Sequence, residues 1–230
     1  MRGTLLFAIF SIMSVLSILF VDKPLALWIH KVGFDQFISL RYITEMPQYW
    51  LSIICITVML IFPTAQQLDI KVDRDTLKHF KFFKTSNLIY SVIKILYFVC
   101  IVLLALWLKT KLKIFFGREW PLHWGGSHGG LIPDGIYQFN ILKSNNWQGS
   151  FPSGHATFAA IAGFIMYLLY QRAKYVWLAL AMLLILAILA LNYHFVGDCI
   201  AGTALGGLFA YYGVAVYYYV IKNIFAAKIY

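Results

Sequence analysis

Leu88-Ile89-Tyr90-Ser91-Val92-Ile93-Lys94-Ile95-Leu96-Tyr97-Phe98-Val99-Cys100-Ile101-Val102-Leu103-Leu104-Ala105-Leu106-Trp107-Leu108 holds a single charge, Lys94, in a run long enough to cross a bilayer, for which about 20 mainly apolar residues suffice. Outward from it, five further runs share this character: Leu5–Val21, Tyr49–Phe62, His155–Tyr170, Tyr175–Tyr193 and, less sharply bounded, Asp198–Ile221. Of 230 residues, 61% are apolar and only 12% charged, roughly half the charged share of a soluble domain. A soluble chain of this makeup lacks the polar groups to cover its surface. The expected fold is therefore all-α, a polytopic membrane protein with a six-transmembrane-helix bundle forming one domain over residues 1–230. Lys94 is expected to face other helices or to snorkel. Arg2 before the first run has the look of a secretory signal, but Phe20-Val21-Asp22-Lys23-Pro24 offers no small-residue cleavage site, which favours a retained first helix.

The net charge of +10 would suggest nucleic acid in a soluble protein. Here the cations flank apolar runs, so lipid headgroups and membrane orientation account for them and no nucleic-acid partner is expected. With the N-terminus inside, ten loop cations fall inside (Arg2, Lys71, Arg74, Lys78, Lys81, Lys84, Arg172, Lys174, Lys222, Lys228) and eight outside (Lys23, Lys31, Arg41, Lys109, Lys111, Lys113, Arg118, Lys143). This modest excess follows the positive-inside rule. Cys55, Cys100 and Cys199 all lie in apolar runs with no metal-binding or disulfide spacing and read as small apolar residues.

In this topology the third loop (Lys109–Gly154) and the fifth (Tyr193–Gly197) share one side, and nearly all chemically capable residues lie there. Phe151-Pro152-Ser153-Gly154-His155-Ala156 opens the fourth run. Pro and Ser are helix-start residues, Gly154 admits close backbone approach, and the free N–H groups of a helix start attract anions. His155 at that mouth can protonate a leaving oxygen; taken alone, the segment serves equally well as a plain cap with an interfacial histidine. His194 and Asp198 stand at i and i+4, one helical face if the turn is helical. A carboxylate beside imidazole fixes its tautomer and leaves the other nitrogen free to attack, whereas a polar pair anchoring a helix end is the plainer alternative. Lys111 and Arg118, seven apart, fall on one face after two helical turns and offer a point charge and a planar fork for phosphate oxygens. Lys109 and Lys113 are read as snorkelling cations.

These clusters, in this order, resemble the type 2 phosphatidic acid phosphatase superfamily, whose pattern is Lys-x6-Arg-Pro, Pro-Ser-Gly-His and Ser-Arg-x5-His-x3-Asp. The chain has Lys111-x6-Arg118, Pro152-Ser153-Gly154-His155 and His194-x3-Asp198, in a motif-bearing core from about residue 88 to 221. The resemblance implies an integral membrane phosphatase acting on a lipid phosphate monoester or diphosphate at the non-cytoplasmic face, which in a bacterium is the periplasmic side of the inner membrane. It further implies that His194 would be the nucleophile forming a phosphohistidine, Asp198 would orient it, and His155 would be the general acid. Lys111, Arg118, Ser153 and the Gly154 backbone would bind the phosphoryl oxygens, with no metal or cofactor.

Two departures stand out. Arg-Pro is replaced by Arg118-Glu119-Trp120-Pro121, and the Ser-Arg pair expected at 187 and 188 is Ala187-Ile188. Loss of one charged clamp costs a few kcal/mol of transition-state stabilisation. Asn192, Lys143, His123 and His128 are the candidates to compensate; Arg172 falls on the other face. The departure keeps a lipid phosphotransferase open. Trp124-Gly125-Gly126-Ser127-His128-Gly129-Gly130 reads as a lid or as an interfacial loop. Asp73-Arg74-Asp75-Thr76 lacks the residue types of an aspartyl phosphatase motif after Asp75. An intramembrane serine protease would need Gly-x-Ser-x-Gly, and Phe151 stands where the first glycine belongs. A transporter or assembly protein using the histidines and Asp198 for ions or protons is the non-enzymatic rival.

Overall fold

In the computed structural model of the protein the described residues are 2–37, 47–61, 86–122, 129–142 and 149–226. They contain the helices α1 (Arg2–Phe20), α2 (Asp22–Val32), α3 (Pro47–Ile61), α4 (Ser86–Phe116), the short α5 (Leu131–Asp134), α6 (Gly154–Leu169), α7 (Lys174–Ala190) and α8 (Val196–Ala226). Extended pairing among the described residues is limited to two isolated bridges, Arg118 with Phe139 and Trp120 with Gly130. The apolar runs become helices because lipid offers backbone N–H and C=O groups no partner, so each segment must satisfy its own. The chain is an all-α membrane protein.

Among the described residues the span count is not the expected six. Three helical stretches, Ser91–Phe116, Gln171–Ala190 and Val196–Val220, are each long and apolar enough to cross a bilayer. The first expected span is broken, with Thr4–Phe20 and Asp22–Val32 meeting at 62°, and together they make a fourth. Leu51–Leu60 and Gly154–Leu169 are apolar but shorter. In α6 the reason is local: Ser153 is extended (φ −65°, ψ 123°) and its Oγ accepts from Ala156 N–H, so the helix starts there and not earlier. At the other extreme, α4 has 31 residues, about 46 Å against a hydrocarbon core of about 30 Å. It is therefore longer than a perpendicular crossing requires.

α8 packs along α6, α1 and α4, and α7 lies on the far side of α6. The α6–α8 contact is set by Gly202 and Gly206, one turn apart. A Cβ on Gly202 would stand 2.5 Å from Ser153 O, and one on Gly206 would overlap Thr157 O. Small residues of this kind let membrane helices touch backbone to backbone. Phe98, Ile161, Ile165, Met166, Ala210 and Val214 fill the core between α4, α6 and α8. Lys94 faces other helices: its Nζ donates to Met59 O (3.1 Å) and Tyr170 Oη (3.2 Å). Lys71, Arg74, Lys78, Lys81, Lys84, Lys228 and the Asp73–Thr76 stretch lie outside the described residues, as do Arg41, His123, Trp124, His128, Lys143 and Trp147.

Gly206→Leu must push α8 off α6. Overpacking of this kind costs about 1–3 kcal/mol, so thermal unfolding in detergent, followed by tryptophan emission, is expected several degrees below wild type.

Candidate active site

Four segments meet at one end of the bundle: the break between α1 and α2, the chain after α4, the start of α6 and the α7–α8 turn. α4 stops at Phe116 because Gly117 adopts φ +51°, where a Cβ would also stand 2.6 Å from Asn140 O. Arg118 thus lies beyond the helix, in an extended bridge with Phe139. The expected two-turn register between Lys111 and Arg118 does not hold for this reason. Lys111 is exposed, with its ammonium 5.9 Å from the Trp107 ring, and it is not gathered with the other expected residues.

The inner face of α4 presents Lys109 and Lys113 instead, one turn apart. Lys113 is 6% exposed and its Nζ sits 4.4 Å over the Trp120 ring. Lys109 Nζ is 3.3 Å from the place a Cβ on Gly154 would occupy, so it lies against the first turn of α6. Among the described residues neither lysine has a carboxylate oxygen within ion-pair distance.

Arg118 does something other than face an open site. Its side chain is 1% exposed. Nη1 donates to Asp198 Oδ1 (2.5 Å), and Nη2 donates to Asp22 Oδ2 (2.8 Å) and Tyr137 Oη (2.8 Å). The guanidinium plane rests 4.2 Å from the Phe195 ring centroid. Asp22 Oδ1 in turn accepts from Ser17 Oγ (2.7 Å) and Gly197 N–H (2.8 Å), and Tyr137 Oη donates to Ile18 O (2.6 Å). Burial works against the charge of Arg118, but the Asp198 and Asp22 carboxylates outweigh it and hold the guanidinium above its ordinary pKa.

His194 is 3% exposed on the turn between α7 and α8. Its Nδ1 lies 3.5 Å from Asp198 Oδ2 and has no hydrogen bond of good geometry among the described residues. Catalytic contacts are often long before a ligand binds. The same Oδ2 accepts from Phe195 N–H (3.1 Å). The imidazole is flanked by Trp120 (4.9 Å between centroids) and His155 (6.0 Å). Burial lowers the pKa of His194 to about 4; Asp198 opposes that shift, and Lys113 and Lys109 reinforce it. The ring is accordingly neutral at pH 7. Ser153 is fully buried and caps α6, and its N–H donates to Asp198 O (3.0 Å). The N–H groups of Gly154 and His155 stand in the first helical turn, where no carbonyl of the helix can reach them.

Of the residues expected from sequence, His194, Asp198, His155, Ser153 and Gly154 converge, while Arg118 joins them as a partner of Asp198. Asn192 turns out to be structural: in a left-handed conformation (φ 51°), it donates from Nδ2 to Ala26 O (3.0 Å). Arg172 lies in the turn at the far end of α6. Sequence reasoning does not single out Asp22 or Tyr137, and it places Lys109 and Lys113 there only as snorkelling cations. The one available signal for Asp22 was an acidic residue closing an apolar run. Among the described residues, no group of three or more His, Cys, Asp or Glu side chains is arranged to hold a metal ion.

A family model described as PAP2 superfamily matches residues 94–224. Among solved structures, the chain is similar to one described as the first transmembrane PAP2 type phosphatidylglycerolphosphate phosphatase from Bacillus subtilis, at 17% identity and a TM-score of 0.41, over 90% of this chain and 94% of that one. No match is found among curated proteins.

Arg118→Leu leaves two buried carboxylates without their counter-charge. Removing one partner of a buried network costs about 3–5 kcal/mol, so little folded protein is expected by size-exclusion chromatography. Lys111→Ala, on the exposed face, should change the unfolding midpoint by no more than a degree or two, as surface substitutions stay within about 0.5 kcal/mol.

Proposed function

The chain belongs to the PAP2 superfamily, and from that premise we propose that it is an integral membrane phosphatase hydrolysing a lipid phosphate monoester or diphosphate through a phosphohistidine. One observation carries this reading. Two inward-facing lysines lacking carboxylate partners among the described residues, two imidazoles 6.0 Å apart and a helix start share one end of the bundle. Cations in that state call for an anion with several oxygens.

In the proposed reaction His194 Nε2 attacks phosphorus while Nδ1–H is held by Asp198. The bond from phosphorus to the leaving oxygen breaks, and His155 delivers a proton to that oxygen. His155, now neutral, takes a proton from water as it attacks the phosphohistidine, which releases inorganic phosphate and restores both rings. Phosphoryl transfer depends on positioning and charge stabilisation. Lys113 and Lys109, with the first-turn N–H groups of α6, would supply both. This assigns the phosphate-binding role expected of Lys111 and Arg118 to the lysines two positions either side of Lys111. Trp120, seven after Lys113 and directly before Pro121, then stands where the family pattern has arginine.

A lipid substrate is supported by an apolar cavity of about 220 Å³ between α3, α4 and α6, lined by Val102, Phe158, Ala162 and Met166 among others. Phe158 is one turn below Gly154, so an acyl or prenyl chain in this cavity would hang below the phosphate. The site is proposed to face the non-cytoplasmic side, since the excess of loop cations puts the N-terminus inside.

The test is phosphate release by purified protein from phosphatidic acid, phosphatidylglycerol phosphate, polyprenyl diphosphate and lipid A, with chelator present. One lipid should turn over at least tenfold better in kcat/KM than a water-soluble monoester. His194→Ala and His155→Ala should abolish release, and Lys113→Met should lower kcat/KM about 10²-fold. No release from any lipid above the His194→Ala background would sink the reading; phosphate appearing on a second lipid would make it a transferase. The nucleophile must be neutral and its pKa lies near 4, while His155 must carry the proton it delivers and burial beside His194 lowers its pKa to about 3, so kcat/KM should rise as pH falls through 6 and drop only below about pH 4. The sign for stability agrees: unfolded histidine binds a proton near pH 6.5, so the stability contributed by neutral His194 is complete above that and lost as pH falls towards 4. For orientation, a cysteine at Lys111 in a chain otherwise free of cysteine should react with an impermeant maleimide from the non-cytoplasmic side; labelling only after the membrane is opened would reverse the topology.

A further inference from the structure

Asp22 lies outside the stretch matched by the PAP2 family model, which begins at residue 94, yet its carboxylate is 1% exposed and sits in the network that ends at His194. The chain of contacts is continuous. Ser17 Oγ and Gly197 N–H fix Asp22 Oδ1, and Asp22 Oδ2 takes Arg118 Nη2 at 2.8 Å. Arg118 Nη1 meets Asp198 Oδ1 at 2.5 Å, and Asp198 Oδ2 faces His194 Nδ1 at 3.5 Å. One guanidinium is thus divided between two carboxylates, and the triad carries a net charge of −1.

We propose that Asp22 is a positioning residue for the nucleophile: by sharing Arg118 it leaves Asp198 Oδ2 available to accept from His194 Nδ1–H. The alternative arrangement shows why. With Asp22 neutral, Arg118 would have Asp198 as its sole counter-ion, the pair would sum to zero, and the plane of the guanidinium would favour a two-pronged grip on both oxygens. His194 would then lose its acceptor and with it the tautomer that frees Nε2. The other charged or titratable groups facing His194 are Lys113, Lys109 and His155. All three are bases and none can replace Asp198 as an anionic acceptor. The hold on Asp22 is tight from both helices, since a Cβ on Gly197 would stand 2.8 Å from Asp22 Oδ2 and 2.7 Å from Ile18 Cγ1. The break between α1 and α2 falls at this residue, so the N-terminal helix pair delivers a carboxylate to the site.

The role of Asp22 rests on the phosphohistidine reading, but its test does not require activity. Imidazole ¹⁵N shifts of His194, in detergent-solubilised protein at neutral pH, report the tautomer directly. Wild type should show Nδ1–H with Nε2 unprotonated. Asp22→Asn should move the population towards Nε2–H, and where wild type releases phosphate, kcat should fall about 10-fold or more with KM little changed. Asp22→Glu, which keeps the second carboxylate on Arg118, should keep the Nδ1–H signal. Where Asp22→Asn does not fold, Ser17→Ala, which removes a donor to Asp22 Oδ1 without removing a charge, should shift the population in the same direction by less. An unaltered tautomer in the folded variant, or a shift in Asp22→Glu as large as that in Asp22→Asn, would overturn the proposal. Loss of phosphate release in wild type itself would count against the phosphatase reading and leave the tautomer result to decide the role of Asp22.

Discussion

One guanidinium holds this end of the bundle together. Arg118 is buried with both terminal nitrogens on carboxylates from opposite directions, Asp22 at the α1–α2 break and Asp198 in the first turn of α8. A buried charge is tolerable only when its partners and geometry are complete, and here they are supplied by three separate segments. None can shift without stranding a charge. Lysine would not serve, because a point charge cannot address two carboxylates and the Tyr137 hydroxyl along fixed directions. The backbone bond from Ser153 N–H to Asp198 O then extends the same restraint to the start of α6. The histidines, the cap and the free first-turn N–H groups of α6 all inherit their positions from this cluster.

Much of this was legible because it is local. Apolar runs announce helices, Pro152-Ser153 announces a helix start, and the spacing of His194 and Asp198 survives because α8 begins between them at Val196. What could not be read depends on distant contacts. Asp22 is 96 positions from Arg118, and no periodicity links them. The count from Lys111 to Arg118 assumes a helix, and Gly117 ends it. Once α4 stops there, its rotation is set by packing on α6 and α8, which turns Lys109 and Lys113 inward and Lys111 out. Asn192 was a reasonable candidate by distance along the chain, but a left-handed turn commits its amide to the α2 backbone.

On the proposed reading, Trp120 and Ile188 stand where the family pattern has arginines, and this gives the site a distinct character. Forked donors impose the orientation of a phosphate; ammonium groups on flexible stems impose only proximity. With Ile188 of α7 fully buried in the core against α6 and Trp120 tilted beside His194, orientation on that reading would fall to the rigid parts: the α6 backbone N–H groups and the aromatic wall. Such a site would trade directional contacts for shape, which suits a substrate whose placement is already dictated by its anchorage in lipid.

The brevity of α6 ties the proposed chemistry to the membrane itself. Sixteen residues span about 24 Å, less than the roughly 30 Å hydrocarbon slab, and the helix that is too short is the one that carries His155 in its first turn. Hydrophobic mismatch of this sign is relieved by local thinning of the bilayer. On the proposed reading such thinning would lower headgroups towards the two histidines, and bilayer thickness would become a variable of catalysis.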